Sequence, residues 1–182
     1  MAKNSKKKNS NAWWIFKITL TAFIISFMFS LASESVLPKV NMVLGFLILI
    51  LFILIGVIFD MVGVAITAAD IGPFNAMSAK KIKGANVAIK FLQNADKVSS
   101  FCNDVVGDIC GIISGTASAT LAITMATVLK VDVLMVALIL TAITSSLTIG
   151  GKAICKSIAI KNSTSIVFGF SKIVSLFYYP KK

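Results

Sequence analysis

Residues 59–115 read FDMVGVAITAADIGPFNAMSAKKIKGANVAIKFLQNADKVSSFCNDVVGDICGIISG, and this stretch decides the fold. Hydrophobic runs long enough to cross a bilayer flank it, yet four of the chain's seven carboxylates, Asp60, Asp70, Asp104 and Asp108, lie in or beside those runs. A charge at the centre of a membrane helix costs roughly 2.5–3.5 kcal/mol on insertion scales, so each such carboxylate is a candidate functional group whose partner must be found. Gly107, Gly111 and Gly115 recur every four residues and leave one helix face bare, a surface on which a second helix can pack closely.

Composition excludes an ordinary soluble domain: of 182 residues, 57% are hydrophobic and only 14% charged. The fold class expected is all-α, an integral membrane protein with about four transmembrane helices, a juxtamembrane interfacial helix and a C-terminal amphipathic helix. The net charge of +11 comes from 18 lysines with no arginine. No soluble basic face, zinc module or aromatic-rich RNA-binding sheet accompanies it, so orientation in the bilayer and anionic lipid explain the charge and nucleic acid does not. Cys102, Cys110 and Cys155 are odd in number and widely spaced, which argues against a disulfide framework or a zinc site. The absence of histidine removes the commonest ligand of soft metals and the usual general base. No nucleophile elbow or phosphate loop occurs either, and the chain is not expected to be an enzyme.

Outward from the central stretch, residues 1–12 form a basic tail, and residues 13–32 a first transmembrane helix introduced by Trp13 and Trp14 at headgroup level. The rival reading of that segment is a cleaved signal peptide, since Ser30 and Ala32 supply small residues after a basic and a hydrophobic region. Ser33 to Lys39 is a connector with Pro38 against helix continuation. The second run, Val40 to Ala69, has an apolar core from Val43 to Phe59, after which Asp60, Gly63, Thr67 and Asp70 share one helix face. Gly72 and Pro73 break it and begin an interfacial helix over residues 73–93, with Phe74, Ser78, Ile82, Ala85, Ile89 and Leu92 on one face.

Asn94 to Asp96 is a helix break, with Asp96 as N-cap of the next helix. The third span runs from about Asp104 to Leu129, and Lys130, Val131 and Asp132 make a tight turn. The fourth, Val133 to about Ile149, carries Thr141, Thr144, Ser145 and Thr148 on one face and ends in Gly150, Gly151 and Lys152; isolated hydroxyls on a membrane helix often bond only their own backbone. The C-terminal interfacial segment, residues 152–182, contains a last helix from Ser165 to Tyr178, too short to span. With the N-terminus inside and four spans, sixteen lysines lie at cytoplasmic positions and only Lys39 and Lys130 outside. The chain is then a multi-pass cell-membrane protein with both termini cytoplasmic, and the Asn162–Thr164 glycosylation sequon lies on the wrong side for use.

In that topology Asp60, Thr67, Asn103, Asp104, Asp108, Thr148 and Lys152 all occupy the inner half of the membrane, as around a polar chamber open to the cytoplasm. Carboxylate, amide and hydroxyl oxygen without imidazole suit magnesium, calcium or manganese. Asp104 and Asp108, one turn apart, repel when both are ionised. A bound cation, a proton or Lys152 relieves that repulsion; the bland alternative is a Lys–Asp pair that pins helices together.

The stretch from Phe59 to Gly115 resembles the transmembrane domain of the CorB/CorC magnesium and cobalt transporters, relatives of the cyclin M proteins. Those domains carry a Ser-Glu-Thr-Ala segment at the inner end of one span, then a juxtamembrane helix, then an Asn-rich opening of the next span. Here AITA, Ala65 to Ala68, takes the first place, GANVAIKFLQNADKVSSFCND follows from Gly84, and Asn103 begins the second motif. The likeness centres on a core over residues 40–151 and extends weakly to Pro180. It implies Mg2+ as the ion, bound by the serine of the first motif, the asparagine, and a glutamate four residues before a lysine after the last span. In this chain Ala65 stands for the serine and Ile66 for its neighbouring glutamate. If Lys156 is the matched lysine, Lys152 holds the position of the metal-binding glutamate. The paired CBS domains that usually follow do not occur within the 182 residues. Two functions are therefore expected: a small transporter-like protein for a hard divalent cation, with metal ligands among Asn103, Asp104, Asp108, Asp60 and Thr67 and homo-oligomerising through Gly107, Gly111 and Gly115; or a membrane scaffold or accessory subunit that has lost the ion site.

Overall fold

The structure is a computed structural model that describes the backbone of residues 2–36 and 40–177, with side chains placed over residues 16–32, 35 and 40–176. All regular structure among them is helical: α1 (Ala2–Val36), α2 (Met42–Ala68), α3 (Gly72–Ala79), α4 (Ala85–Gln93), α5 (Ala95–Ser100), a π-helical segment (Phe101–Val106), α6 (Gly107–Leu129), α7 (Val133–Lys161) and α8 (Ser163–Phe177). Helices are what a bilayer permits, because each satisfies its backbone polar groups within itself. Three are long and apolar enough to cross a membrane: Met42–Ala68, Ala95–Leu129, which runs through the π-helical segment, and Val133–Lys161. Phe16–Ala32 and Ser163–Leu176 are shorter apolar helices. The chain is an all-α membrane protein. The tryptophans at 13 and 14, the connector residues 37–39 and the C-terminal tyrosines lie outside the described side chains.

Of the fourth-span hydroxyls, Thr148 bonds its own helix, and threonines of the third span do the same. Thr116, Thr120, Thr124, Thr127 and Thr148 each donate to a carbonyl three or four residues earlier, at 2.7–3.1 Å. The turn between α6 and α7 is tight: Lys130 adopts φ 55°, and Asp132 Oδ1 accepts from the Leu134 N–H at 3.1 Å. This carboxylate satisfies a helix-start donor that has no intrahelical partner. Asp70 does the same for Gly72 at 3.3 Å, and Pro73 sits in the first turn of α3, where its missing N–H costs nothing.

Four expectations change. The helix expected over residues 73–93 is two helices, because Lys81 (φ 56°) and Gly84 (φ 94°) take left-handed backbone and turn the chain between them. Much of its apolar face is covered by protein, although Ile82 stays exposed: Phe74 and Ala85 are fully buried, and Ala88 packs in the same core. Asn94, not Asp96, stands at the N-terminal boundary of α5, and Asp96 falls in its first turn. Finally, Gly150 and Gly151 do not end the fourth span, since α7 stays helical for another ten residues, to Lys161. Glycine weakens a helix by about 1 kcal/mol, which the flanking apolar turns outweigh here.

The chain forms two compact units. The first comprises Met1–Phe52 and Ile109–Thr141, the second Ile53–Asp108 and Ala142–Lys182. In the first, Gly45 lets Leu121 approach closely, and Phe29 meets Phe52 edge to face at 6.5 Å. The second has the denser core. Val62, Ala65 and Ile66 of α2, Phe74 of α3, Ala88 of α4, Cys102 of the π-helical segment, Ala159 of α7 and Val167 of α8 are buried together. Phe170 of α8 meets Phe59 at 6.1 Å and Phe91 at 5.9 Å, so the last helix is fastened to both α2 and α4.

Candidate functional site

Asp60, Thr67, Asn103, Asp104, Asp108 and Lys152 all belong to the second unit. Two short-range constellations form among them. In the first, Lys152 Nζ lies 3.5 Å from Asp60 Oδ1, with the aspartate 18% and the lysine 32% exposed. The sequence pattern offers this lysine to Asp104 or Asp108; the structure gives it to Asp60. The reason is one residue away. A Cβ on Gly151 would lie 3.1 Å from Val57 Cγ2, so α7 presses against α2 at Gly151, and the next residue, Lys152, comes down beside Asp60. Gly107 completes the setting, because a Cβ there would lie 3.7 Å from the ammonium.

The second constellation is built on Asn103, which sits in the π-helical segment. Such segments add a residue to a helical turn and occur frequently at functional sites. The Asn103 amide occupies the space that a side chain at Gly63 would need: a Cβ on Gly63 would collide with Asn103 Oδ1. Asn103 Nδ2 donates to Ser99 Oγ at 3.4 Å, whereas Oδ1 is buried and has no hydrogen-bond partner among the described residues. Burying an amide oxygen without a donor is costly, and native proteins rarely leave one so. This acceptor is therefore the most ligand-seeking atom of the unit. Nothing in the sequence pattern singles out Ser99, although its spacing of four residues from Asn103 places it one turn away on the same face.

The remaining candidates are not drawn in. Asp104 and Asp108 are exposed and have no ion-pair partner among the described residues, and Thr67 is exposed and donates to the Val64 carbonyl at 2.9 Å. Ala65 and Ile66, which stand where the resemblance would put an ion-binding serine and its acidic neighbour, are buried in the core. Among the described residues no three histidine, cysteine, aspartate or glutamate side chains gather as a metal-holding group. Of the glycine series, Gly107 is buried, but Gly111 and Gly115 are exposed and a Cβ on either meets nothing within 4 Å. Close approaches within this chain are made at Gly45, Gly63, Gly84 and Gly151 instead. The arrangement thus offers one neutralised carboxylate and one unsatisfied amide oxygen. No family model, curated protein or solved structure matches the chain.

Proposed function

We propose that this is a multi-pass cell-membrane protein that binds and passes a hard divalent cation, magnesium by ligand class, in the inner half of the bilayer. The observation that carries the reading is the buried, unpartnered Oδ1 of Asn103, the residue to which the CorB/CorC likeness assigns an ion contact. Amide and carboxylate oxygens suit a hard cation, and Asp60 belongs to the same unit. Four spans, with α1 as the first, place both termini and the lysines between residues 80 and 97 in the cytoplasm. The exposed strip at Gly111 and Gly115 is the surface through which copies of the chain associate.

A second reading is favoured by a specific contact. The Lys152 ammonium stands next to the carboxylate that the cation would use, and neutralises it. A membrane scaffold or accessory subunit needs nothing more than this pinned pair.

Two measurements on the purified chain separate the readings. In liposomes, dye-reported magnesium uptake above that of liposomes carrying Asn103→Leu is expected for a transporter. In detergent, a ligand that binds only the native state adds RT ln(1 + [L]/Kd), about 2.7 kcal/mol at a hundredfold excess, so magnesium should raise the melting temperature. Asn103→Leu should abolish that rise and Lys152→Glu should enlarge it. Absence of uptake, together with a melt unmoved by magnesium in both the native chain and Lys152→Glu, leaves the scaffold.

A further inference from the structure

We propose that the elbow between α3 and α4, with Lys80, Lys81 and Lys83 set beside Lys172 of α8, is a binding site for the phosphate of an anionic phospholipid headgroup. The inference rests on the membrane character of the chain and is independent of the cation reading.

All four lysines are exposed, and among the described residues none has a carboxylate partner. Lys172 is distant in sequence from the other three, but its backbone lies against the turn that carries them. Gly84, immediately after the turn, has φ 94°, and a Cβ built there would lie 3.2 Å from the Cα of Lys172 and 3.3 Å from its backbone nitrogen. The turn is therefore seated directly on α8 at Lys172. The elbow is also tied across its own mouth, because Ser78 Oγ near the end of α3 donates to Asn86 Oδ1 near the start of α4 at 2.5 Å. Lys81 holds φ 56°, a conformation uncommon for a residue with a side chain. Three lysines in four residues are thus presented on a fixed turn, where like charges would otherwise drive them apart.

Apolar groups beside these charges select the ligand. Ile82, in the middle of the lysines, is 42% exposed, and Ile173 and Leu176 on α8 are 58% and 80% exposed. Ammonium groups mixed with bare aliphatic side chains match the boundary between headgroup and acyl chain, where the lysines meet phosphate and the isoleucines meet hydrocarbon. Lysine binds phosphate as a point charge without demanding a fixed fork, which suits headgroups of varying tilt. Free phosphate offers the same charge but nothing for Ile82, Ile173 and Leu176 to contact.

The test uses the full chain, purified in detergent, with retained lipids counted by native mass spectrometry after addition of phosphatidylglycerol or phosphatidylcholine. Phosphatidylglycerol should be retained at least about fivefold over phosphatidylcholine. Joint replacement Lys80→Gln, Lys81→Gln, Lys83→Gln and Lys172→Gln should erase that preference. Removing equal charge elsewhere in the same unit, by Lys90→Gln, Lys97→Gln, Lys156→Gln and Lys161→Gln, should preserve it. Equal retention of the two lipids by the native chain overturns the proposal, and so does an equal loss in the second set of variants. Displacement of phosphatidylglycerol by inorganic phosphate at matched concentration also overturns it, since the site would then be a free-anion site. Should the fourfold variant not fold, Lys81→Gln and Lys172→Gln singly carry the comparison, each expected to lower phosphatidylglycerol retention about twofold. No decrease in either overturns the proposal.

Discussion

At Gly63 the side chain that the residue lacks is supplied by its neighbour, since the Asn103 amide fills that volume. Gly63→Ala should therefore destabilise the protein by about 1–3 kcal/mol through overpacking. Adding Asn103→Ala should restore most of the loss, as read from melts in detergent. Gly169→Ala, where a Cβ meets nothing, is the control and should be neutral or stabilising by up to about 1 kcal/mol from helix propensity. Asp60 and Lys152 form the other residue-scale unit. Breaking a buried pair typically costs about 3–5 kcal/mol, and the partial exposure of this one reduces the expectation to about 1–3 kcal/mol for Lys152→Met. The double variant Asp60→Asn with Lys152→Met should be more stable than Lys152→Met alone, because no carboxylate is then stranded. A melt that ranks them the other way would show that the pair does not hold the two helices.

Among the elements, α8 decides the most. It brings Val167 into the core of the second unit, places Phe170 between Phe59 and Phe91, and receives Gly84 against its backbone at Lys172. Gly84→Ala adds a Cβ both to a left-handed backbone and to a gap of 3.2 Å, so it should cost at least about 1–2 kcal/mol. The first effect expected is local. Amide hydrogen exchange in α8 and in the turn over residues 80–84 should accelerate, while exchange in α6 stays at its native rate. Uniform acceleration throughout the chain would mean that α8 does not open as a separate unit.

For the whole molecule, the distribution of lysine makes a topological statement that cysteine labelling can check. In a background without Cys102, Cys110 and Cys155, Ser35→Cys and Lys130→Cys should react with an impermeant maleimide from outside intact cells. Ala79→Cys and Lys161→Cys should react only after permeabilisation. Labelling of all four from outside would overturn the four-span arrangement. Association of copies is tested by Gly111→Leu. Because the position is open in the single chain, leucine should leave the thermal stability of the monomer unchanged and lower the oligomer fraction in cross-linking or sedimentation. An unaltered oligomer would assign that strip to lipid.

Much of this protein is legible in its residues alone. Long apolar runs can be satisfied in a bilayer only as helices, so α2, α6 and α7 follow from hydrophobic length, and the turns at residues 70–73 and 130–132 follow from proline, aspartate and the charge of Lys130. The candidate site is legible only in part. The sequence pattern leads one to expect Asp60, Asn103, Asp104, Asp108 and Lys152 at one depth, because depth depends on position along a helix. It does not say which of them touch, because contact depends on the rotation of each helix about its axis and on where neighbours can approach. Those are set by Gly151 against Val57, Gly63 against Asn103 and Gly84 against Lys172, three close approaches between residues far apart in the chain. They give Lys152 to Asp60, leave the Asn103 oxygen without a donor among the described residues, and turn one expected interfacial helix into an elbow closed by α8.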